Sequence, residues 1–332
     1  MELLLVPLIG PFHLRSPSYN GVSVRDALAA WEPDALATSA LARGEMAEPR
    51  WQDTPEIALP LAVAPWAGRR GLPLREFGEP SPEPGSEDDF RRYVEPFPEL
   101  RARLAKVEAA LRPVEALLEE GLTAERITGA LLPEIRAHQV AREAEFGDGP
   151  ATDWLRQRME TVAGRVFDLA GEADDLRLAV LAPVDHLPFL EDALRAGGLE
   201  SARLPAIARS PEALERSVLD YAFRVDVPEP ASLLERLREM AGSEARYHEA
   251  NLLLAGGHGY EALELLEKTS RGDFSSPYFL PGYLLARLGQ LRDLADRRDD
   301  ALRAYRGALA LDFAPAEARE AARAGLERPF SP

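Results

Sequence analysis

The sequence lacks cysteine altogether and contains only two lysines, Lys106 and Lys268. The absence of cysteine excludes disulfide bonds, thiol nucleophiles, cysteine-ligated zinc and iron–sulfur clusters. Long apolar runs are also lacking, because the opening run Leu3-Leu4-Leu5-Val6 is far shorter than the roughly 20 apolar residues that span a bilayer. No basic region precedes it and no small-residue cleavage site follows it. We therefore expect a cytoplasmic protein with no secretory signal and no membrane partner.

Positive charge is also in deficit, since the chain has 39 basic residues and 56 acidic ones, which gives a net charge of −17. Such an acidic surface repels the phosphate backbone of nucleic acids and the anionic head groups of lipids. We therefore expect no nucleic-acid partner. The 332 residues, 46% of them hydrophobic, are enough for one large domain or two ordinary ones.

Short, fully apolar segments in the first two thirds of the chain predict an α/β domain. The run Leu3 to Ile9, closed by Gly10-Pro11, is typical of a strand that is buried on both faces of a parallel sheet. Segments with helical patterns separate it from further segments with strand character, and this alternation is typical of the α/β class. The further predicted strands are Ala35 to Leu41, Leu72 to Phe77, Leu176 to Leu181 and Ala202 to Ile207.

Helical patterns dominate two other parts of the chain. The proline-rich segment 78–89 predicts a surface loop, and the amphipathic stretch from Phe97 to about Glu145 predicts a helical insertion in the sheet domain. Beyond about Pro230 the pattern is helical only. The predicted domains are therefore an α/β domain at 1–230 and an all-α domain at 231–332. We expect limited proteolysis to cut between them, at Pro228 to Ser232.

Small and large residues in the last quarter of the chain resemble a tetratricopeptide repeat. In that repeat, small residues allow two antiparallel helices to approach closely while large ones fill the gap. Arg292 and Phe313 differ from the aromatic residue and the proline that usually stand at their positions. The resemblance implies a protein or peptide partner on these helices; alternatively, they only cap the α/β domain. The residues that carry it are Leu285, Leu288 and Gly289 on one predicted helix and Ala301, Tyr305 and Ala308 on the next.

Two of the five histidines directly follow predicted strands. His13 and His186 each come just past the carboxyl end of a strand, where the loops of a parallel sheet converge on ligands. We therefore expect both in one cleft, as metal ligands or proton carriers. In the alternative interpretation each ring only hydrogen-bonds the backbone of its own turn. His138, His248 and His258 are predicted to lie in helical or glycine-rich surface contexts and are assigned no chemistry.

The order of these motifs resembles the TraB/ChaN/Tiki superfamily, which is related to the erythromycin-esterase fold. Its members carry a Gly-x-x-His turn after the first strand, as Gly10-Pro11-Phe12-His13 does here. They also carry a helix with spaced arginines before a late strand and a second histidine turn. Here Arg156 and Arg158 precede His186-Leu187-Pro188, with Pro183 in place of the usual glycine.

The resemblance implies several activities but also exposes a missing residue. Tiki-type members use the histidines and a glutamate for metal-dependent peptide hydrolysis, ChaN-type members bind haem, and erythromycin esterases hydrolyse a lactone. The stretch that matches the glutamate position is Ala37-Thr38-Ser39-Ala40, which contains no acid. Glu45, Glu48 or Glu76 is the candidate replacement.

The sequence therefore supports two hypotheses. The first is a divergent, non-catalytic module that binds a ligand or protein through its cleft and its C-terminal helices. The alternative is a metal-dependent peptidase or esterase, with His13, His186 and Arg158 as candidate catalytic residues and His13, His186 and Glu76 as candidate ligands of a divalent metal. Two histidines alone rarely hold a catalytic metal, which normally has three protein ligands and an open position. We therefore expect no strong metal-dependent hydrolase activity.

Overall fold

The computed structural model describes residues 1–331 apart from 81–90, 148–149, 173–174, 203, 206, 208 and 225–227. Most of the loop predicted at 78–89 therefore lies outside the described residues. Within the described part of the chain, no helix combines the length and the apolar character that crossing a bilayer requires.

Parallel strands form the sheet that the apolar segments predict. The described strands lie in the order β3-β2-β4-β1-β5, and β1 pairs with β4 in unbroken register from Glu2 opposite Arg177 to Leu8 opposite Pro183. The fifth strand is shorter than predicted, and positions 203 and 206 of that segment lie outside the described residues. The strands are β1 (Glu2–Leu8), β2 (Ala35–Ala42), β3 (Leu74–Gly78), β4 (Arg177–Pro183) and β5 (Ser201–Ala202).

The helices before β4 include the predicted insertion. The first helix is capped by the Asn20 side chain, whose Oδ1 accepts from the backbone N–H of Ser23 at 2.9 Å. Thr123 caps the turn that leads through Ala124–Arg126 and Ile127–Leu131 into the fourth helix. These helices are α1 (Gly21–Trp31), α2 (Ala64–Arg70), α3 (Pro98–Glu119), α4 (Leu132–Phe146) and α5 (Pro150–Glu172).

The helices after β4 continue to the end of the chain. The seventh helix, Pro211–Ala222, links the two predicted domains. Its Ala213 carbonyl accepts from the Asn20 side chain at 2.8 Å, and its Arg216 pairs with Glu244 of the ninth helix, Ser243–Ala255. The helices are α6 (Leu187–Ala196), α7 (Pro211–Ala222), α8 (Pro230–Glu239), α9 (Ser243–Ala255), α10 (Gly259–Thr269), α11 (Leu280–Leu294), α12 (Arg298–Leu309) and α13 (Ala316–Glu327).

Both faces of the sheet are covered by helices. Leu4, Val6 and Leu8 pack in one core with α1, whereas Leu3 and its neighbours on β4 pack in a second core with α5 and α6. Successive side chains of a strand point to opposite faces. The central strands β1 and β4 are therefore apolar from Leu3 to Leu8 and from Leu178 to Pro183, because helices cover both of their faces.

The ring of Tyr305 holds α11, α12 and α13 together. It lies against Gly289 and Gly325, where a Cβ atom would overlap the ring, and its hydroxyl donates to Asp293 Oδ2 at 2.9 Å. Gly289 and Tyr305 thus allow the close approach of two helices that the pattern of small and large residues predicts. The tetratricopeptide-like character of these helices stays a prediction.

Gly289→Ala is expected to lower the free energy of unfolding by about 1–3 kcal/mol, because the added methyl group forces the Tyr305 ring from its place. Gly307→Ala on α12 is the matched control, since its Cβ would meet only the Leu285 side chain at an ordinary 3.5 Å. Because alanine favours helix over glycine by about 1 kcal/mol, the control should be stabilising. Urea denaturation of both variants measures the difference, and equal stabilities would contradict the packing described here.

Candidate functional site

The chain leaves β1 and β4 in opposite directions. β1 continues through α1 to β2, while β4 continues through α6 to β5 on the other side of β1. Since α1 and α6 pack on opposite faces of the sheet, the turns after β1 and β4 diverge and leave a crevice between them. Ligands of parallel α/β proteins bind in the crevice at such a switch point.

A cavity of about 470 Å³ occupies this crevice, and we call it the edge cleft. Ile9 and Gly10 line it after β1, and Val184 and Asp185 line it after β4. The inserted helices α3 and α4, together with the start of α5, close it with a largely apolar wall. The lining residues from that wall are Leu111, Val114, Leu118, Ile135, His138, Gln139, Arg142, Glu143, Trp154 and Leu155.

A larger cavity of about 750 Å³ opens beside β5 and is lined by residues such as Leu5, Leu132 and Ser201. Its charged lining residues are Glu125, Arg136 and Glu191, of which Arg136 and Glu191 are well exposed and pair with each other at 3.3 Å. A solvent-exposed ion pair contributes little to recognition or stability. The edge cleft is therefore the stronger candidate, because it encloses a buried titratable group.

That buried group is Glu56, which lies in the long connection between β2 and β3. Its Oε2 accepts from the backbone N–H of Gly10 at 2.9 Å, across 46 residues of sequence. Burial raises the pKa of Glu56 to about 7; the Gly10 N–H opposes the rise and the charge of Asp185 adds to it. A carboxyl group with such a pKa exchanges its proton near neutral pH, so it can both donate and accept hydrogen bonds there.

His13 is fully buried in the turn after β1, and both of its ring nitrogens are engaged. Nε2 accepts from the backbone N–H of Ile9 at 3.2 Å, and Nδ1 donates to the Tyr19 carbonyl at 2.7 Å. Burial lowers the pKa of His13 to about 4, although its bond to the Tyr19 carbonyl opposes the shift. The ring is therefore neutral and holds the turn in place, which matches the alternative interpretation of its sequence position.

His186 lies at the start of α6, next to Asp185 and close to Arg158. Its Nδ1 is enclosed and has no hydrogen-bond partner among the described residues. Burial lowers the pKa of His186, with Asp185 opposing the shift and Arg158 adding to it. Arg158 itself donates to the carbonyl oxygens of Glu79 and Pro80, the latter at 2.7 Å. Arg158 thus lies close enough to His186 for its charge to act on the ring, but its guanidinium group is hydrogen-bonded to the backbone just after β3.

The two histidine turns follow neighbouring strands at the carboxyl edge of the sheet, but neither of the histidines, expected in one cleft, lines the edge cleft. Val184 N–H donates to the Leu8 carbonyl at 2.8 Å, so the turns after β1 and β4 begin side by side. Their neighbours line the cleft, whereas His13 and His186, both among the described residues, do not. The buried acid that contacts the turn after β1 is Glu56.

Two of the three acids named from the sequence, Glu45 and Glu76, have hydrogen-bond partners in or next to the loop after β2. Glu76 accepts from the backbone N–H of Gly44 at 2.7 Å and from that of Met46, so both its oxygens are engaged. Glu45 accepts from Ala42 N–H at 2.7 Å. Thr38 and Ser39, at the position of the missing glutamate, are buried within β2.

A divalent metal does not fit the candidate set of His13, His186 and Glu76. Coordination by His13 would require the Nε2 lone pair that already accepts the Ile9 N–H group, because Nδ1 donates to the Tyr19 carbonyl. Across the described residues, no group of three or more histidine, aspartate or glutamate side chains is arranged to hold a metal ion. We therefore derive no chemical step through a metal at these residues.

Sequence reasoning missed Glu56 and misplaced His248. Glu56 was visible as a single acid between Pro55 and Ile57 at the start of an apolar stretch, in a loop that returns to the carboxyl edge of the sheet. His248 is buried, not on the surface as predicted, and its ring packs edge-on against Phe223 at 4.5 Å. Its helix, Ser243–Ala255, is covered by other helices on most sides, and its apolar residues do not repeat at the spacing that would have marked one buried face in the sequence.

Comparison with known proteins gives no relative for the chain. No family model matches the sequence, and no curated protein or solved structure matches it. The resemblance to the TraB/ChaN/Tiki superfamily therefore stays a prediction.

Proposed function

We propose that the protein is a non-catalytic binding module whose edge cleft holds a small, mainly apolar and uncharged ligand. The observation that carries the proposal is the buried Glu56 carboxyl group in an apolar cleft at the switch point between β1 and β4. Small-molecule sites typically combine an apolar lining with a few placed polar groups.

The lining determines the chemistry of the ligand. Leu118, Ile135 and Trp154 offer apolar contact to its body. Glu56 Oε2 is hydrogen-bonded to the Gly10 N–H group, so Oε1 is the atom that would form a hydrogen bond with a ligand hydroxyl, amide or carbonyl group. A charged anion is disfavoured, because Glu56 and Asp185 both lie in the cleft. Arg142 at the wall helix offers a further hydrogen-bond donor.

Titration of the full chain with Nile red, a neutral apolar dye, tests the proposal by fluorescence. Leu118→Trp fills the cleft and is expected to weaken dye binding about tenfold or more, the effect of losing roughly 1.4 kcal/mol. Ala116→Trp, at an exposed position of the same helix, is the matched control and should bind as the parent does. Equal affinities for all three proteins would show that the dye does not enter the cleft.

A pH series adds a second readout. Because a neutral ligand keeps water from Glu56, binding favours the protonated carboxyl group. Dye affinity of the parent should therefore fall as the pH rises through about 7, the pKa of Glu56. The affinity of Glu56→Gln should not vary with pH in that range, and a parallel fall in this variant would contradict the assigned role of Glu56.

Two finer hypotheses accompany this proposal. The TraB/ChaN/Tiki-like assignment draws support from the two histidine turns on neighbouring strands, β1 and β4. A protein or peptide partner on the tetratricopeptide-like helices α11 to α13 draws support from their close packing around Tyr305. The predicted division at 230 is tested by the limited proteolysis described above.

A further inference from the structure

A third cavity, of about 410 Å³, lies where the sheet domain meets the C-terminal helices, and we call it the interdomain cavity. The connection between β2 and α2 forms one wall, and residues of α7, α11 and α13 form the other. It shares no lining residue with the edge cleft. The lining residues that matter for its chemistry are Asp53, Asp220, Phe223, Tyr278, Phe279, Tyr283 and Glu317.

Aromatic rings make up one wall of the interdomain cavity. Phe223 and Phe279 meet edge to face at 5.1 Å between ring centroids, and Tyr283 packs beside Phe279 at 6.0 Å. The negative faces of such rings attract an organic cation within about 6 Å, with about 0.5–2 kcal/mol per contact. This wall favours a ligand that carries positive charge on an apolar body.

Three carboxyl groups contribute to the polar lining. Asp220 is almost fully buried; its Oδ1 accepts from Arg216 Nε at 2.7 Å, while its Oδ2 has no hydrogen-bond partner among the described residues. Glu317 Oε2 accepts from the Tyr283 hydroxyl at 3.1 Å, and Asp53 pairs with Arg50.

The charge of the cavity is net acidic when Asp220 is ionised. Burial raises the pKa of Asp220 to about 7, although the charge of Arg216 opposes the rise. Three acids and two arginines, Arg50 and Arg216, line it. Arg216 is further neutralised by Glu244, which accepts from both of its terminal nitrogens at 2.7 and 2.9 Å and does not belong to the lining. An unpartnered carboxyl oxygen, a negative excess and an aromatic wall all favour the same occupant, a cation with N–H donors.

We propose that the interdomain cavity binds a small organic ammonium ion with an apolar body. The body packs on Phe223, Phe279 and Tyr283, and the ammonium group donates to the carboxyl oxygens of Asp220 and Glu317. A ligand held in this way contacts both the sheet domain and the C-terminal helices.

Benzylamine, benzyl alcohol and benzoate test this proposal, because they share a body and differ in charge. In saturation-transfer NMR titrations of the full chain, benzylamine should bind about tenfold or more tightly than benzyl alcohol, and benzoate weakest of the three. Equal binding of amine and alcohol overturns the proposal. A Gly-Lys-Gly peptide that competes better than benzylamine also overturns it, since the occupant would then be a lysine side chain of a polypeptide.

Two variants locate the amine. Glu317→Gln removes one of the proposed contacts and is expected to weaken benzylamine binding about threefold, since a contact of this kind provides about 0.5–1 kcal/mol. Asp53→Asn removes a charge that Arg50 already pairs with and should have a smaller effect. Glu320→Gln, at an exposed position of the same helix as Glu317, is the matched control and should leave affinity unchanged. An equal loss in all three variants would show diffuse attraction to the acidic surface and would overturn the site.

Discussion

Arg216→Met is expected to lower the free energy of unfolding by about 3–5 kcal/mol, the cost of leaving buried charges without their partner. Arg216, Asp220 and Glu244 are all buried, and the guanidinium group donates three hydrogen bonds to the two carboxyl groups. Burial opposes ionisation of Glu244, yet Arg216 holds the pKa of that carboxyl group below its ordinary value. Without Arg216, the buried carboxylate of Glu244 has no opposite charge beside it, and the contact between α7 and α9 loses these hydrogen bonds.

A double-mutant cycle separates the pairing from general packing. Arg216→Met combined with Glu244→Gln should cost less than the sum of the two single substitutions, because the second change removes the charge that the first leaves unpaired. Arg303→Met is the control, since Arg303 is well exposed and its pair with Asp300 provides at most about 1 kcal/mol. Urea denaturation gives all four values. Additive effects of the two substitutions would show that the network is not coupled.

Glu56→Gln is expected to raise the free energy of unfolding by about 3 kcal/mol at pH 8 and to leave it almost unchanged at pH 4. The folded state holds the Glu56 proton up to a pKa of about 7, against 4.5 for the ordinary group. Between these values the folded state binds more protons than the unfolded one, so stability falls as pH rises. One pKa unit corresponds to about 1.4 kcal/mol, and glutamine removes the whole penalty.

The difference between the parent and variant curves isolates Glu56. His13 acts in the opposite direction, because its pKa of about 4 lies below 6.5 and its buried neutral form loses stability as the pH falls between these values. Both proteins share that contribution, so it cancels in the difference. Glu115→Gln, at an exposed position of α3, is the matched control. Thermal unfolding from pH 4 to 9 measures all three, and a pH-independent difference would rule out a raised pKa.

Much of the fold could be predicted from sequence because its signals are local. Leu3 to Ile9 is apolar at every position, and the structure confirms a strand covered on both faces at Glu2–Leu8. Thr123 is of the residue type that caps helices, and its Oγ1 accepts from the backbone N–H of Arg126, only three residues away. Such signals need no knowledge of the rest of the chain.

The candidate site was predictable only in part, for a physical reason. The position of His13 after a buried strand correctly indicated the carboxyl edge of the sheet. Its chemical state did not follow from position, because Ile9 N–H and the Tyr19 carbonyl meet its two nitrogens only in the folded turn. The same limit applied to Glu76, whose oxygens accept from a loop about 30 residues earlier.

The sequence by itself determined the parallel sheet, the helical insertion and the helical C-terminal part, because apolar periodicity and capping residues act within a few positions of one another. Tertiary structure alone decided which titratable groups meet. Glu56 reaches Gly10 across 46 residues, and Arg216 reaches Glu244 across 28. Whether such groups are buried, and so how strongly their pKa values shift, depends on the packing of distant segments, which no local pattern records.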